Sequence, residues 1–246
     1  MTQIRKVLAC ASAGLLWAAA ASAPACADDR TEVGLFTAVV AGTHVGSDNP
    51  SPVTGVVPGA ALEVTQHLDR FRLHLEGIPT VAASGSTHGP FGTSSASLDL
   101  LNTTAMVDVD KNARFRVGAG FQLVNLTNKN GNNGDRNDVR ITSPIYVAGS
   151  TLPLPRAHFV ELNLMVDPNL RGVLDVFNYL GQSRTNKPEA GAEVDYSAAY
   201  GWRRGDVEYL VGGRGLSYHT RNTDNGELVD RNVGAGATFE VRFMLR

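Results

Sequence analysis

Phe71-Arg72-Leu73-His74-Leu75-Glu76 sets three apolar and three polar residues in strict alternation. Successive side chains of an extended strand point to opposite faces, so Phe71, Leu73 and Leu75 share one face while Arg72, His74 and Glu76 share the other. Asp69-Arg70 just before it is a turn signal, and Val57 to Leu68 is a second extended run. The segment therefore reads as the return arm of a tight hairpin.

The same pattern recurs along the chain. Phe115, Val117, Ala119, Phe121 and Leu123 are opposed by Arg114, Arg116, Gly118, Gly120 and Gln122. Val194, Tyr196, Ala198, Tyr200 and Trp202 are opposed by Glu193, Asp195, Ser197 and Ala199. At the chain end, Phe239, Val241, Phe243 and Leu245 face away from Glu240, Arg242, Met244 and Arg246. Tight turns at Asp69-Arg70, Asp110-Lys111-Asn112, Asp167-Pro168-Asn169 and Arg203-Arg204-Gly205 separate these runs from longer Gly/Asn/Asp/Ser-rich connections at 46–55, 84–93, 128–155, 184–188 and 220–231.

Short turns on one side and long loops on the other suit an all-β, closed antiparallel up-and-down transmembrane β-barrel. The expected strands lie near 31–45, 56–68, 70–83, 94–109, 113–127, 156–166, 171–183, 189–203, 206–219 and 232–246. Most exceed the ~9–11 residues that cross a bilayer at a tilt. The count is ten, with eight or twelve open, because Arg140 to Gly149 reads either as a strand or as a projecting arm. His158 to Val166 and Val173 to Leu180 are apolar on both faces, so their inward sides are not assigned.

Residues 1–27 read as a signal peptide: Arg5 and Lys6, an apolar Val7 to Ala23, then Ala25-Cys26-Ala27 before Asp28. The domain that follows is 28–246. The competing uses of the leader are an uncleaved anchor, for which it is short and Ala-rich, and lipidation of Cys26, which lacks the usual upstream Leu. Both cysteines, Cys10 and Cys26, lie in the leader, so the exported chain carries no thiol to mispair. The whole chain has a net charge of −2, and the leader carries two bases and no acid. Its removal makes the remainder more acidic, which argues against a nucleic-acid partner.

The leader, the alternating strands, the two loop lengths and the closing stretch Gly234-Ala235-Gly236-Ala237-Thr238-Phe239-Glu240-Val241-Arg242-Phe243-Met244-Leu245-Arg246 together resemble bacterial outer-membrane β-barrel proteins of the small, porin-like kind. The family usually ends on an aromatic residue, whereas this chain ends on Arg246. The resemblance implies location in the outer membrane of a Gram-negative envelope. It also implies contact with outer-membrane lipids and insertion by a barrel-assembly machinery that recognises the final strand.

If the polar face points inward, the lumen holds Arg72, His74, Glu76, Arg114, Arg116, Glu193, Asp195, Glu208, Arg214, Glu240 and Arg242. Such a mixed-sign set must pair internally where water is scarce. It then either plugs the barrel or lines a thin path for small solutes, since wide aqueous channels need about sixteen strands. A soluble periplasmic lipocalin-like barrel inverts the pattern and lines its cavity with Phe71, Leu73, Phe115 and Val117.

Catalytic and metal chemistry find little footing. Ser217 and His219, with Asp224 and Glu227 beyond, suggest a rim hydrolase acting on lipid or peptide, yet they share the parity of Val207, Tyr209 and Val211. His44, His88 and His219 lack ligand spacing. Asn128 to Asp138 offers oxygen donors without the closing Glu of a calcium loop. Asn102-Thr103-Thr104 and Asn125-Leu126-Thr127 match the glycosylation triplet, which means little in a bacterial envelope protein. The expectation is an envelope barrel, structural or a narrow channel, with no catalytic residues, no metal and no cofactor.

Overall fold

Alternation becomes wall architecture in a computed structural model that describes residues 30–46, 49–78, 84–89, 92–110, 112–130, 136–177, 180, 183–226 and 228–245. The segments are β1 (Arg30–Gly46), β2 (Asn49–Leu68), β3 (Phe71–Ile78), β4 (Ser84–Gly89), β5 (Gly92–Asp108), β6 (Phe115–Asn130), β7 (Arg136–Leu154), β8 (His158–Phe177), β9 (Ser183–Arg204), β10 (Val207–Asn222) and β11 (Leu228–Leu245). β3 and β4 both lie between β2 and β5 and make one stave in two pieces. Each other strand is antiparallel to its sequence neighbours, and β1 pairs with β11 from Thr31↔Leu245 to Gly46↔Asp230. The result is a closed, ten-stave, up-and-down barrel, the form in which strands satisfy their backbone groups in hydrocarbon.

Phe71, Leu73, Phe115, Val117 and Phe121 are 46–64% exposed on the outer wall, and Leu35, Val211, Phe239 and Phe243 continue the apolar surface. Glu76, Arg116, Gln122, Glu193, Asp195 and Glu240, their opposite-parity neighbours, are buried inside. A lipocalin-like interior lined by Phe71, Leu73, Phe115 and Val117 is thereby overturned. Those side chains are outside.

Three boundaries differ from the sequence reading, each for a local reason. Asp167-Pro168-Asn169 is a bulge within one long β8 rather than a turn. Pro168 lacks a donor and Pro144 on β7 lacks another, so β7–β8 pairing lapses between Tyr146↔Val166 and Ile141↔Gly172. The Asp167 carboxylate accepts the Ser143 hydroxyl and, at 3.0 Å, the Asn169 amide, which holds the break from inside. The turn itself comes earlier, at Pro155-Arg156-Ala157, with Arg156 and Ala157 at φ 62° and 61°. A primed hairpin turn asks for that backbone region, and Arg-Ala carries none of the usual Asn-Gly signal. Arg140 to Gly149 accordingly belongs to its own strand, β7, and 171–177 to the upper part of β8.

The third difference concerns the long connections. Strand pairing runs well into 49–55, 84–89, 92–93, 128–130 and 136–154, because Gly/Ser/Asn content marks solvation and does not forbid a ladder. Full staves of 16 to 22 residues stand ~40–50 Å tall at a tilt of about 45°, against an apolar band of ~25 Å. Since the opposite end is closed by tight turns, the surplus projects on the long-loop side.

Candidate functional site

Inward side chains form tiers that can be followed from the tight-turn end upward. In the lowest tier the Glu32 carboxylate lies 2.9 Å from His67 Nε2 and 3.2 Å from Arg30, while Arg72 meets Asp108 at 2.8 Å. Arg203 pairs with Glu208 nearby.

The middle tier is built on two guanidinium groups. Arg242 on β11 pairs with Glu240 two residues back and reaches across to both oxygens of Glu161 on β8, at 2.8 and 3.1 Å. Arg116 on β6 donates to Thr151 Oγ1 at 2.9 Å and to Asn163 Oδ1 at 2.5 Å, and lies 3.4 Å from Glu161. Gly149 makes room for it: a Cβ there would meet the Arg116 guanidinium at 2.5 Å. Thr65 Oγ1 and His74 Nδ1 are bonded at 2.8 Å in the same region.

In the third tier Arg214 on β10 grips Asp195 through Nε and Nη2 and donates from Nη1 to Glu76 on β3 at 2.6 Å. Four steps around a ten-stave wall make that last bond nearly a diameter. Asn102 donates to Glu76 at 3.2 Å and Gln122 to Glu193 at 2.8 Å, and the Phe36 ring lies 5.9 Å from the Arg214 guanidinium carbon. Above this tier Val124, Ile141, Leu170 and Tyr218 are buried together, with Leu100 and Leu216 packed on them, beside the buried polar side chains of Ser143, Asp167 and Thr220.

Ten of the eleven residues singled out from the sequence line this interior or its lower rim. Arg114 does not, because the strand ends before it: it is exposed in the β5–β6 turn, where its amide donates to Asp110 at 2.7 Å. Glu32, Glu63, Asp108 and Glu161 were missed. Glu161 lies in the run that is apolar on both faces, and counting parity back from the Pro155–Ala157 turn would have found it. Among the described interior groups, carboxylates outnumber guanidinium groups. A cavity of about 180 Å³ remains beside Glu63, His74 and Arg242, below the ~300–1,000 Å³ of ordinary ligand pockets.

Ser217 and His219 are exposed on the outer wall, opposite in parity to buried Tyr218 and Thr220, so they do not face the lumen. No group of metal-ligating side chains occurs among the described residues. The leader with its cysteines, residues 131–135 of the oxygen-rich stretch, the side chains of His44 and His88, and Arg246 lie outside the described residues.

Solved structures share the architecture of this barrel. It superposes on the outer membrane protease OmpT from Escherichia coli with a TM-score of 0.61 at 8% identity, over 91% of this chain and 99% of that one. The translocator domain of the autotransporter NalP from Neisseria meningitidis gives 0.50 at 11% identity, over 98% and 97%. At these identities the likeness is one of fold. No protein-family model and no curated protein matches the chain. Its structural neighbours are bacterial outer-membrane β-barrels, and the chain shares their fold.

Proposed function

We propose that this chain is an integral protein of a bacterial outer membrane whose barrel is internally plugged and acts as a rigid support for the strands and loops that project from the surface. One observation carries the reading: the wall is apolar outside and charged inside, and arginines tie opposite walls together through the lumen. A water-filled channel needs a continuous polar path. Here the path meets three arginine-carboxylate tiers and then the Val124, Ile141, Leu170 and Tyr218 layer.

A narrow small-solute channel is the second reading, favoured by the cavity beside Glu63 and by the excess of carboxylates, which would select cations. Planar-bilayer recording of refolded protein separates the two. The plugged barrel gives no discrete openings, whereas steady cation-selective steps in native protein would establish the channel and sink the plug. A rim hydrolase draws no support from Ser217 and His219 facing outward.

A further inference from the structure

Polar-tipped aromatics are not spread evenly around the turn end of the outer wall. On β3 and β6 the outward residues nearest the turns are Phe71 and Phe115, and on β11 Phe243 is followed by Leu245 at the strand end. On β8, β9 and β10 the aromatic residues close to the turns are His158, Tyr200, Trp202 and Tyr209, joined in one ladder, with Val207 between Tyr209 and its turn. His158 stacks on Tyr200 at 5.5 Å, Tyr200 lies 6.3 Å from Trp202, and Trp202 stacks on Tyr209 at 5.4 Å and 16°. The Tyr200 hydroxyl and His158 Nδ1 are 2.6 Å apart, which fixes both rings.

Two exposed arginines frame the ladder. Arg204 continues the outward parity of Tyr200 and Trp202, and Arg156 occupies the neighbouring turn. The Arg203 amide donates to the Ala157 carbonyl at 3.0 Å, which binds that turn to the end of β9 and keeps the two arginines on adjoining chain segments. Arg203 itself is taken up by Glu208. Among the described residues no ion pair engages Arg156 or Arg204, and the acid close in sequence is Asp206 in the next turn.

We propose that this corner is a binding site for one anionic glycerophospholipid of the inner leaflet: Arg156 and Arg204 take its phosphodiester and the ladder lies along its glycerol and upper acyl region. Guanidinium groups suit phosphate oxygens, and rings with one apolar and one polar end belong at the headgroup boundary. An even girdle would only set the depth of the barrel. Clustering on three adjacent strands beside two cations that no ion pair among the described residues engages makes a site. The inference rests on the membrane reading above.

Trp17 and Trp202 are the two tryptophans, so full-length chain carrying Trp17→Phe reports from Trp202 alone. The protein is refolded into phosphatidylcholine vesicles containing a minor share of lipid with brominated acyl chains, either phosphatidylglycerol or phosphatidylcholine. At equal mole fraction, brominated phosphatidylglycerol should quench Trp202 as if enriched about fivefold for each arginine, and less at high salt. Arg156→Gln with Arg204→Gln should equalise the two lipids, and Arg70→Gln on another turn should change nothing. Equal quenching in the native chain, enrichment that survives the double replacement, or equal loss on Arg70→Gln overturns the site. Quenching by neither lipid refutes the membrane reading, and this inference falls with it.

Discussion

Replacing Arg214 by Met keeps the length of the side chain and removes its charge, leaving Glu76 and Asp195 to face each other across the lumen. Arg214 is 21% exposed and these partners 8% and 9%, so solvent repays little of what is lost. Breaking a buried ion pair by removing one member costs about 3–5 kcal/mol, and Arg214 serves two carboxylates. With a urea slope of roughly 3 kcal/mol/M the unfolding midpoint in detergent micelles should drop by about 1 M or more. Trp202 fluorescence and the gel shift between heated and unheated samples follow the transition independently. Adding Glu76→Gln and Asp195→Asn to Arg214→Met should recover most of the loss, because no uncompensated charge remains. A midpoint within about 0.2 M of native for Arg214→Met, or no recovery in the triple variant, would refute the cross-braced lumen.

Three further outcomes follow from the same geometry. Tyr218→Ala with Leu170→Ala thins the apolar layer above the Arg214 tier, so planar bilayers should show brief cation-selective openings absent from native protein; silence in both would locate the seal in the arginine tiers. Phe121→Arg places a charge on the outer wall and should cost about 2–4 kcal/mol if the position lies at mid-bilayer depth, falling toward zero near an interface, as read from urea midpoints in vesicles. The Phe115 amide, with those of Arg114 and Asn112, lowers the Asp110 carboxyl below the usual aspartate range. Its stabilising contribution is therefore complete above that usual range and is lost as pH falls through the lower folded value, so Asp110→Ala should remove this part of the acid sensitivity of unfolding.

Sequence alone revealed most where one face is uniformly apolar. β3, β6, β9 and β11 are legible as strands because Phe71, Phe121, Tyr196 and Phe239 have charged, polar or small neighbours on both sides. Around β7 and β8 that contrast fails. Leu162 and Leu164 touch the outside while Phe159 and Met165 share the inside with Glu161, so hydrophobicity carries no parity there. Turn chemistry misled at the same place: Asp167-Pro168-Asn169 is a turn former used as a bulge, while Arg156-Ala157 turns without an Asn or Gly and with only Pro155 before it. The lumen was readable as a composition but not as a set of partners. Which carboxylate Arg242 grips depends on Glu161 lying across the barrel, and no local spacing encodes that distance.

Which face of each strand meets lipid decides the architecture. A spin label carried through positions 71–76 and 115–123, one cysteine at a time in a Cys10→Ser, Cys26→Ser background, measures this directly by accessibility to oxygen and to a water-soluble nickel complex. The prediction is a period of two, with oxygen contact high at Phe71, Leu73, Phe115, Val117 and Phe121 and both probes weak at Arg72, Glu76, Arg116 and Gln122. Oxygen contact peaking at the charged positions, or an absence of periodicity, would contradict it.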